Sequence, residues 1–223
     1  MSQNARPKLT IDDVMRSLGA ARPIFHSEAD FQHAFAWELH QRRTDAAIRL
    51  ERPVWGADGA MHLDFLMETS DQAIAVELKY KTKKMRVELL DEVFETSAHA
   101  GQPLGRYDFI KDVWRLEQIS TRFPHIEGWA ILLTNDSAYW RAAAESRGEV
   151  VDPHFRLHDG CVLEGELAWG ERARGTRNKR ERAHDLSGSY PLRWRDYSEL
   201  AGHPNGRFRY LALNIARLQQ RSG

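Results

Sequence analysis

Along residues 28–43, Phe31, Ala34, Phe35 and Leu39 recur three and four positions apart, the spacing of one helix face. Ser27 stands in front of them as a good N-cap, so the pattern predicts a helix over 28–43. A shorter helix is expected over 12–19, capped near Thr10 and stopped by Gly19, after a polar lead-in. The pattern then changes, and strands are predicted over 48–54, 61–68 and 73–80. Gly56-Ala57-Asp58-Gly59 turns the first hairpin and Ser70-Asp71 the next. Residues 81–105 carry mixed signals: 87–97 reads as helical, while Gly101, Pro103 and Gly105 interrupt regular structure. A helix is predicted over 107–122, ended by Pro124, then a buried apolar strand over 129–134 and a helix over 136–146. Beyond residue 150, strands are expected over 162–169, 192–197 and 208–214. The order implies an α/β (α+β) chain: a mixed central sheet flanked by helices, with a β-rich C-terminal extension. The boundaries read from it are a lead-in over 1–27, a core over 28–146 and the extension over 147–223.

Composition narrows the class. With 223 residues, 42% hydrophobic and 29% charged, the chain has the make-up of a soluble globular protein. It has no apolar run of about 18 residues and no secretory h-region, so no membrane partner and a cytoplasmic location are expected. A lone cysteine, Cys161, rules out a disulfide framework or a cysteine zinc site within one chain. Thirty-two basic residues balance 32 acidic ones, which argues against a strongly basic nucleic-acid binder but leaves room for local patches. One patch is Arg172, Arg174, Arg177, Lys179, Arg180 and Arg182 in a glycine-containing stretch.

Candidate chemistry gathers on the third strand. Side chains alternate along a strand, so Ile74, Val76, Leu78 and Tyr80 share one face, and Ala73, Ala75, Glu77 and Lys79 the other. A carboxylate beside an ammonium on a half-buried strand is costly unless both are used or paired. On the preceding strand Met61, Leu63, Phe65 and Met67 form the apolar set, with His62, Asp64, Leu66 and Glu68 opposite, and the tight turn brings Asp64 beside Glu77 and Lys79. Two carboxylates suit a hard cation such as magnesium. Glu38, seven residues after Phe31, falls inside the apolar stripe of its helix, where it needs a metal or a buried cation. Asp112 falls near the arc of Phe109, Leu116, Ile119 and Phe123, and reads as a structural charge. Lys111, Arg115, Gln118 and Arg122 make a polar stripe on the same helix, and Lys81, Lys83 and Lys84 follow the third strand directly. These cations and the Arg-rich stretch are candidate phosphate contacts. Arg193-Trp194-Arg195 and Arg207-Phe208-Arg209-Tyr210 read as alternating strand faces.

With these residues in place, the chain resembles the PD-(D/E)XK nuclease superfamily, the restriction-endonuclease-like fold, over roughly residues 28–146. The resemblance rests on Glu38 in the leading helix, Asp64 in the second strand and Glu77-Leu78-Lys79 in the third. It implies a DNA-cleaving enzyme, an endonuclease before an exonuclease, with magnesium as cofactor and manganese able to substitute. The implied metal set is Asp64, Glu77, Leu78 and Glu38, and Lys79 assists the attacking water. DNA is the implied partner, with RNA left open, and many enzymes of this fold act as homodimers. Leu63 stands where the motif name has proline, and Gln118 is followed four residues later by Arg122, so the glutamine-to-tyrosine signature of RecB-type members is missing. The rival reading is a non-catalytic nucleic-acid-binding or protein-interaction module on a nuclease fold. Carboxylates that face phosphates without a metal argue against it.

Overall fold

Side-chain caps start the first two helices. Thr10 accepts from the Asp13 amide at the head of α1 (Ile11–Ala21), and Ser27 accepts from the Asp30 amide at the head of α2 (Glu28–Arg42). The computed structural model describes residues 9–56, 59–142, 150–173, 175 and 177–215. Strands β1 (Ala47–Gly56), β2 (Gly59–Glu68) and β3 (Ala73–Lys81) form an antiparallel meander. A small hairpin, β4 (Met85–Leu89) and β5 (Glu92–Thr96), leads to α3 (Gln102–Arg122) and then to β6 (Ile126–Thr134). The C-terminal third adds a second hairpin, β7 (Val162–Leu167) and β8 (His184–Pro191), followed by β9 (Trp194–Glu199) and β10 (Arg207–Ile215).

Six strands make one sheet in the order β1-β2-β3-β6-β10-β9. β3 and β6 run parallel, from Ala73 opposite Ile126 to Lys81 opposite Thr134, and the other pairs are antiparallel. On one face, Phe65, Ile74, Val76, Leu78 and Tyr80 pack with α1, α2 and the β4–β5 hairpin. On the other, Leu66, Ala75, Ala130 and Leu132 pack with α3 and the β7–β8 hairpin. The molecule is therefore a mixed α/β fold with a central mixed sheet covered on both faces. Because β9 and β10 complete that sheet, it extends across residue 146. No helix among the described residues is long and apolar enough to cross a membrane.

Three elements differ from the sequence pattern. Residues 87–97, expected to be helical, belong to the β4–β5 hairpin. Its two-residue turn is Leu90-Asp91, both left-handed at φ 51 and 64, where glycine or asparagine would normally announce the bend. The helix expected over 136–146 does not form over its described part: residues 137–140 are turn, with Asp136 Oδ1 accepting from the Ala138 amide. Residues 141 and 142 are not helical either, and 143–146 lie outside the described residues. Helix α3 begins five residues early because its apparent breakers fit a helix start. Gly101 takes the left-handed cap at φ 83, proline follows in the first turn, and a Cβ at Gly105 would collide with the Tyr139 hydroxyl. The sequence pattern also missed β8, whose burial alternates without a break but whose buried positions include His184 and Gly188 beside Leu186 and Tyr190.

Candidate active site

The site begins where β2 leaves β3. The two strands pair from Glu68 opposite Ala73 to Phe65 opposite Val76, and there the ladder ends. Leu66 faces α3 and Phe65 faces α2, but Leu63 again faces α3, so the expected alternation slips by one at Asp64. Its neighbour across β1, Glu51, takes φ 50. Two side chains replace the missing ladder bonds on β3. Asp64 Oδ2 accepts from the Leu78 amide at 2.7 Å, and Glu28 Oε2 accepts from the Tyr80 amide at 2.7 Å. Gln32, one turn along α2 from Glu28, donates to the Asp64 carbonyl at 2.7 Å. Helix α2 is fixed at its far end as well, where Arg43 pairs with Asp45 and Asp71.

Glu77 and Lys79 project from β3 towards α3, as the alternation required, and α3 answers with Asp112 and Arg115. Lys79 Nζ lies 2.7 Å from Asp112 Oδ2, and Arg115 Nη2 lies 3.2 Å from Glu77 Oε1. Arg115 also pairs with Asp112 at 3.3 Å and donates to the His62 carbonyl at 2.6 Å, which binds α3 to the splayed end of β2. Glu77 is 2% exposed. Burial, then the charges of Asp112 and Asp64, push its carboxyl well above the ordinary carboxylate range, against the opposing pull of Arg115 and Lys79. For Lys79, burial works against the charge, but Asp112, Asp64, Glu28 and Glu77 outweigh it and hold the ammonium protonated.

These residues differ in part from the set read from sequence. Asp64, Glu77 and Lys79 come together, and the Leu78 carbonyl lies beside them, accepting from Lys79 Nζ at 3.2 Å. Glu38 does not join them: it is only partly buried and its carboxylate pairs with Arg42 at 2.7 Å, an ordinary pair one turn apart. Ten residues along α2 put it about 15 Å from Glu28, the acid that α2 does bring to this end of β3. Arg115, read as a surface phosphate contact, is largely buried among the acids. Asp112, read as structural, is the partner of Lys79. Asp112 had left a signal, three residues after Phe109 and four before Leu116 inside an apolar arc. Glu28 left none, because an acid in a first helical turn is explained by the helix dipole.

Lys84 and Lys111 are exposed, Lys81 stands 3.8 Å from Glu28, and Lys83 stands 3.4 Å from Asp136. In the Arg-rich stretch, Arg180 is not available to phosphate as expected: it grips Asp108 of α3 through two hydrogen bonds of 2.6 and 2.9 Å. Arg182 lies over the Trp114 ring, 4.6 Å from its centre. Arg172 and Lys179 are exposed, Arg177 is half-buried, and Arg174 lies outside the described residues. The Arg-Trp-Arg and Arg-Phe-Arg-Tyr runs are alternating strand faces, with Trp194, Phe208 and Tyr210 buried.

Among the described residues, no three His, Cys, Asp or Glu side chains converge as a ready-made metal cage. The donor set nevertheless fits a hard cation in kind. The Asp64 and Glu77 carboxylates and the Leu78 carbonyl are all oxygens, and magnesium characteristically takes one or two carboxylates while keeping several waters. Glu77 Oε1 and Asp112 Oδ2 are buried without a hydrogen bond, although each has a cation nearby. No protein-family model, no curated protein and no solved structure matches the chain.

Proposed function

We propose that this chain is a magnesium-dependent nuclease of the PD-(D/E)XK kind that hydrolyses phosphodiester bonds in DNA, acting in the cytoplasm. The observation that carries the reading is the charge balance of the buried cluster. Three carboxylates, Asp64, Glu77 and Asp112, face two cations, Lys79 and Arg115, and the most buried acid is the one pushed towards its neutral form. A divalent cation at Asp64, Glu77 and the Leu78 carbonyl offsets that excess. When bound, it supplies polarisation of the phosphate and acidification of an attacking water.

The chain's own groups do the rest. Lys79 remains an ammonium, so it acts as a donor that orients the nucleophile and stabilises charge developing on the phosphate, not as a proton acceptor. Asp112 holds Lys79 in place, and Arg115 holds Glu77. Asp64 spans the gap between β2 and β3 and keeps both strands in register at the reacting end. Lys81, Lys83, Lys84 and Lys111 flank the centre as contacts for the backbone on either side.

The ion pairs also favour a second reading, a non-catalytic binding module, because Lys79 and Arg115 already neutralise much of the acid. Calorimetric titration with magnesium separates the two. The nuclease reading expects saturable binding to the native chain and loss of binding in Glu77→Gln and Asp64→Asn. Absence of binding to the native chain, or equal binding to both variants, favours the module.

A further inference from the structure

A divalent cation changes the charge balance of the acid cluster. Once Glu77 is ionised, as a metal ligand must be, Asp64, Glu77 and Asp112 face Lys79 and Arg115 with one negative charge in excess. Magnesium at Asp64 and Glu77 reverses that to one positive charge in excess, beside a Glu77 that is buried and poorly screened by solvent. Balance returns when one resident cation gives up its place, and the contacts say which. Lys79 pairs with Asp112 Oδ2 at 2.7 Å and donates to the neutral Leu78 carbonyl, which has a second lone pair to offer. Arg115 stands on a ligand carboxylate instead. Its Nη2 lies 3.2 Å from Glu77 Oε1, an oxygen that no hydrogen bond from the described residues satisfies, so charge alone joins the two. The guanidinium spends its hydrogen bonds elsewhere, at 2.6 Å on the His62 carbonyl and at 3.3 Å on Asp112 Oδ1.

We propose that Arg115 is the resident competitor of the metal site: its guanidinium holds the place of counter-ion to Glu77 and thereby sets the magnesium affinity of the centre. The inference rests on the nuclease reading and deepens it by naming the residue that tunes the cofactor. Arg115 can leave Glu77 without losing the His62 carbonyl, because that bond lies on the exposed side of the cluster. A purely structural ion pair behaves in the opposite way. Removing its cation strands a buried carboxylate and weakens the site, whereas removing a competitor frees a ligand.

The test is a calorimetric titration of the full chain with magnesium, at fixed salt and without DNA. Arg115→Gln removes the charge but keeps an amide donor for the His62 carbonyl, and it should bind magnesium at least about tenfold more tightly than the native chain. Arg115→Lys keeps a positive charge at the position and should stay within about threefold of native. Arg86→Gln removes an exposed positive charge from the β4–β5 hairpin and should leave the affinity unchanged, which separates a local competitor from net charge. Affinity unchanged or weakened in folded Arg115→Gln, or tightened as much in Arg115→Lys or Arg86→Gln, overturns the proposal. In the native chain, the Arg115 guanidinium resonance in nitrogen-15 spectra should move as magnesium is added. A resonance that stays put overturns the proposal even if Arg115→Gln does not fold. Tighter binding in Arg115→Gln without DNA cleavage by the native chain removes the nuclease reading and leaves this role standing. Cleavage by the native chain with equal affinities removes the role alone, and absence of saturable binding to every chain overturns both.

Discussion

Glu77 is pulled in two directions: its strand buries it, and its neighbours Asp112 and Asp64 repel its charge. In metal-free protein the folded state therefore binds a proton at Glu77 more readily than the unfolded chain, whose carboxyl titrates near 4.5. The stability from this group is fully present below that value and is lost as pH rises through the raised one. Glu77→Gln removes the loss, so in EDTA at neutral pH the variant should melt higher than the native chain while losing at least about 100-fold in cleavage. Superimposable melting profiles across pH would show that Glu77 carries no such burden. Glu38 and Glu28 give a sharper contrast. Glu38→Gln removes one partly exposed pair and should change stability by less than about 1 kcal/mol, with cleavage per folded molecule unchanged. Glu28→Gln weakens the acceptor of the Tyr80 amide and should lower cleavage by about tenfold. Equal effects of the two changes would undo the placement of α2. The sequence made Glu77 and Lys79 visible because alternation holds along β3, whereas on β2 the alternation that pointed to Asp64 slips by one at that residue. It misplaced Glu38 because a stripe only a few residues wide does not say which edge of a helix the core covers.

At the scale of elements, the meander and both long helices follow from periodicity and caps, whereas the β4–β5 hairpin does not. Glu88, Leu89 and Leu90 are good helix formers, and its turn carries no glycine to contradict them. Tertiary burial of Met85, Val87 and Phe94 in the core that α1, α2 and one face of the sheet share decides the outcome. Leu90 is fully exposed at φ 51, so its side chain contributes no burial while its backbone bears a left-handed conformation. Leu90→Asn should therefore stabilise the fold by about 1 kcal/mol, read from denaturant midpoints. A fall in midpoint would mean the turn is not left-handed there. His184, at the start of β8, presents the opposite case. It is buried against Tyr107 and Trp114 with both ring nitrogens unpartnered, and burial with the nearby Arg182 and Lys111 lowers its pKa to about 4. Its contribution is present above its ordinary 6.5 and is lost as pH falls towards 4. His184→Phe should flatten that acid limb of the melting curve. An unchanged limb would assign it to other groups.

For the molecule as a whole, zero net charge conceals a separation of roles. Some cations are structural ties, such as Arg180 on Asp108, Arg106 on Asp152 and Arg43 on Asp71. Others, including Lys84 and Lys111, project to solvent. Replacing Lys83, Lys84 and Lys111 with serine should reduce the slope of log affinity for DNA against log salt by about 0.9 for each phosphate no longer neutralised, measured in EDTA. An unchanged slope would move the DNA path elsewhere. The sequence could not show that β10 lies between β6 and β9, because pairing between distant strands leaves no local pattern. The central claim is that Asp64, Glu77 and Lys79 form one metal-dependent cleavage centre. Incubating native, Glu77→Gln and Lys79→Ala protein with duplex, single-stranded and branched DNA, in magnesium or in EDTA, tests it most directly. The account predicts cutting by the native chain in magnesium alone, with both variants folded and inactive. Cutting by either variant at the native rate, or cutting that persists in EDTA, would contradict it.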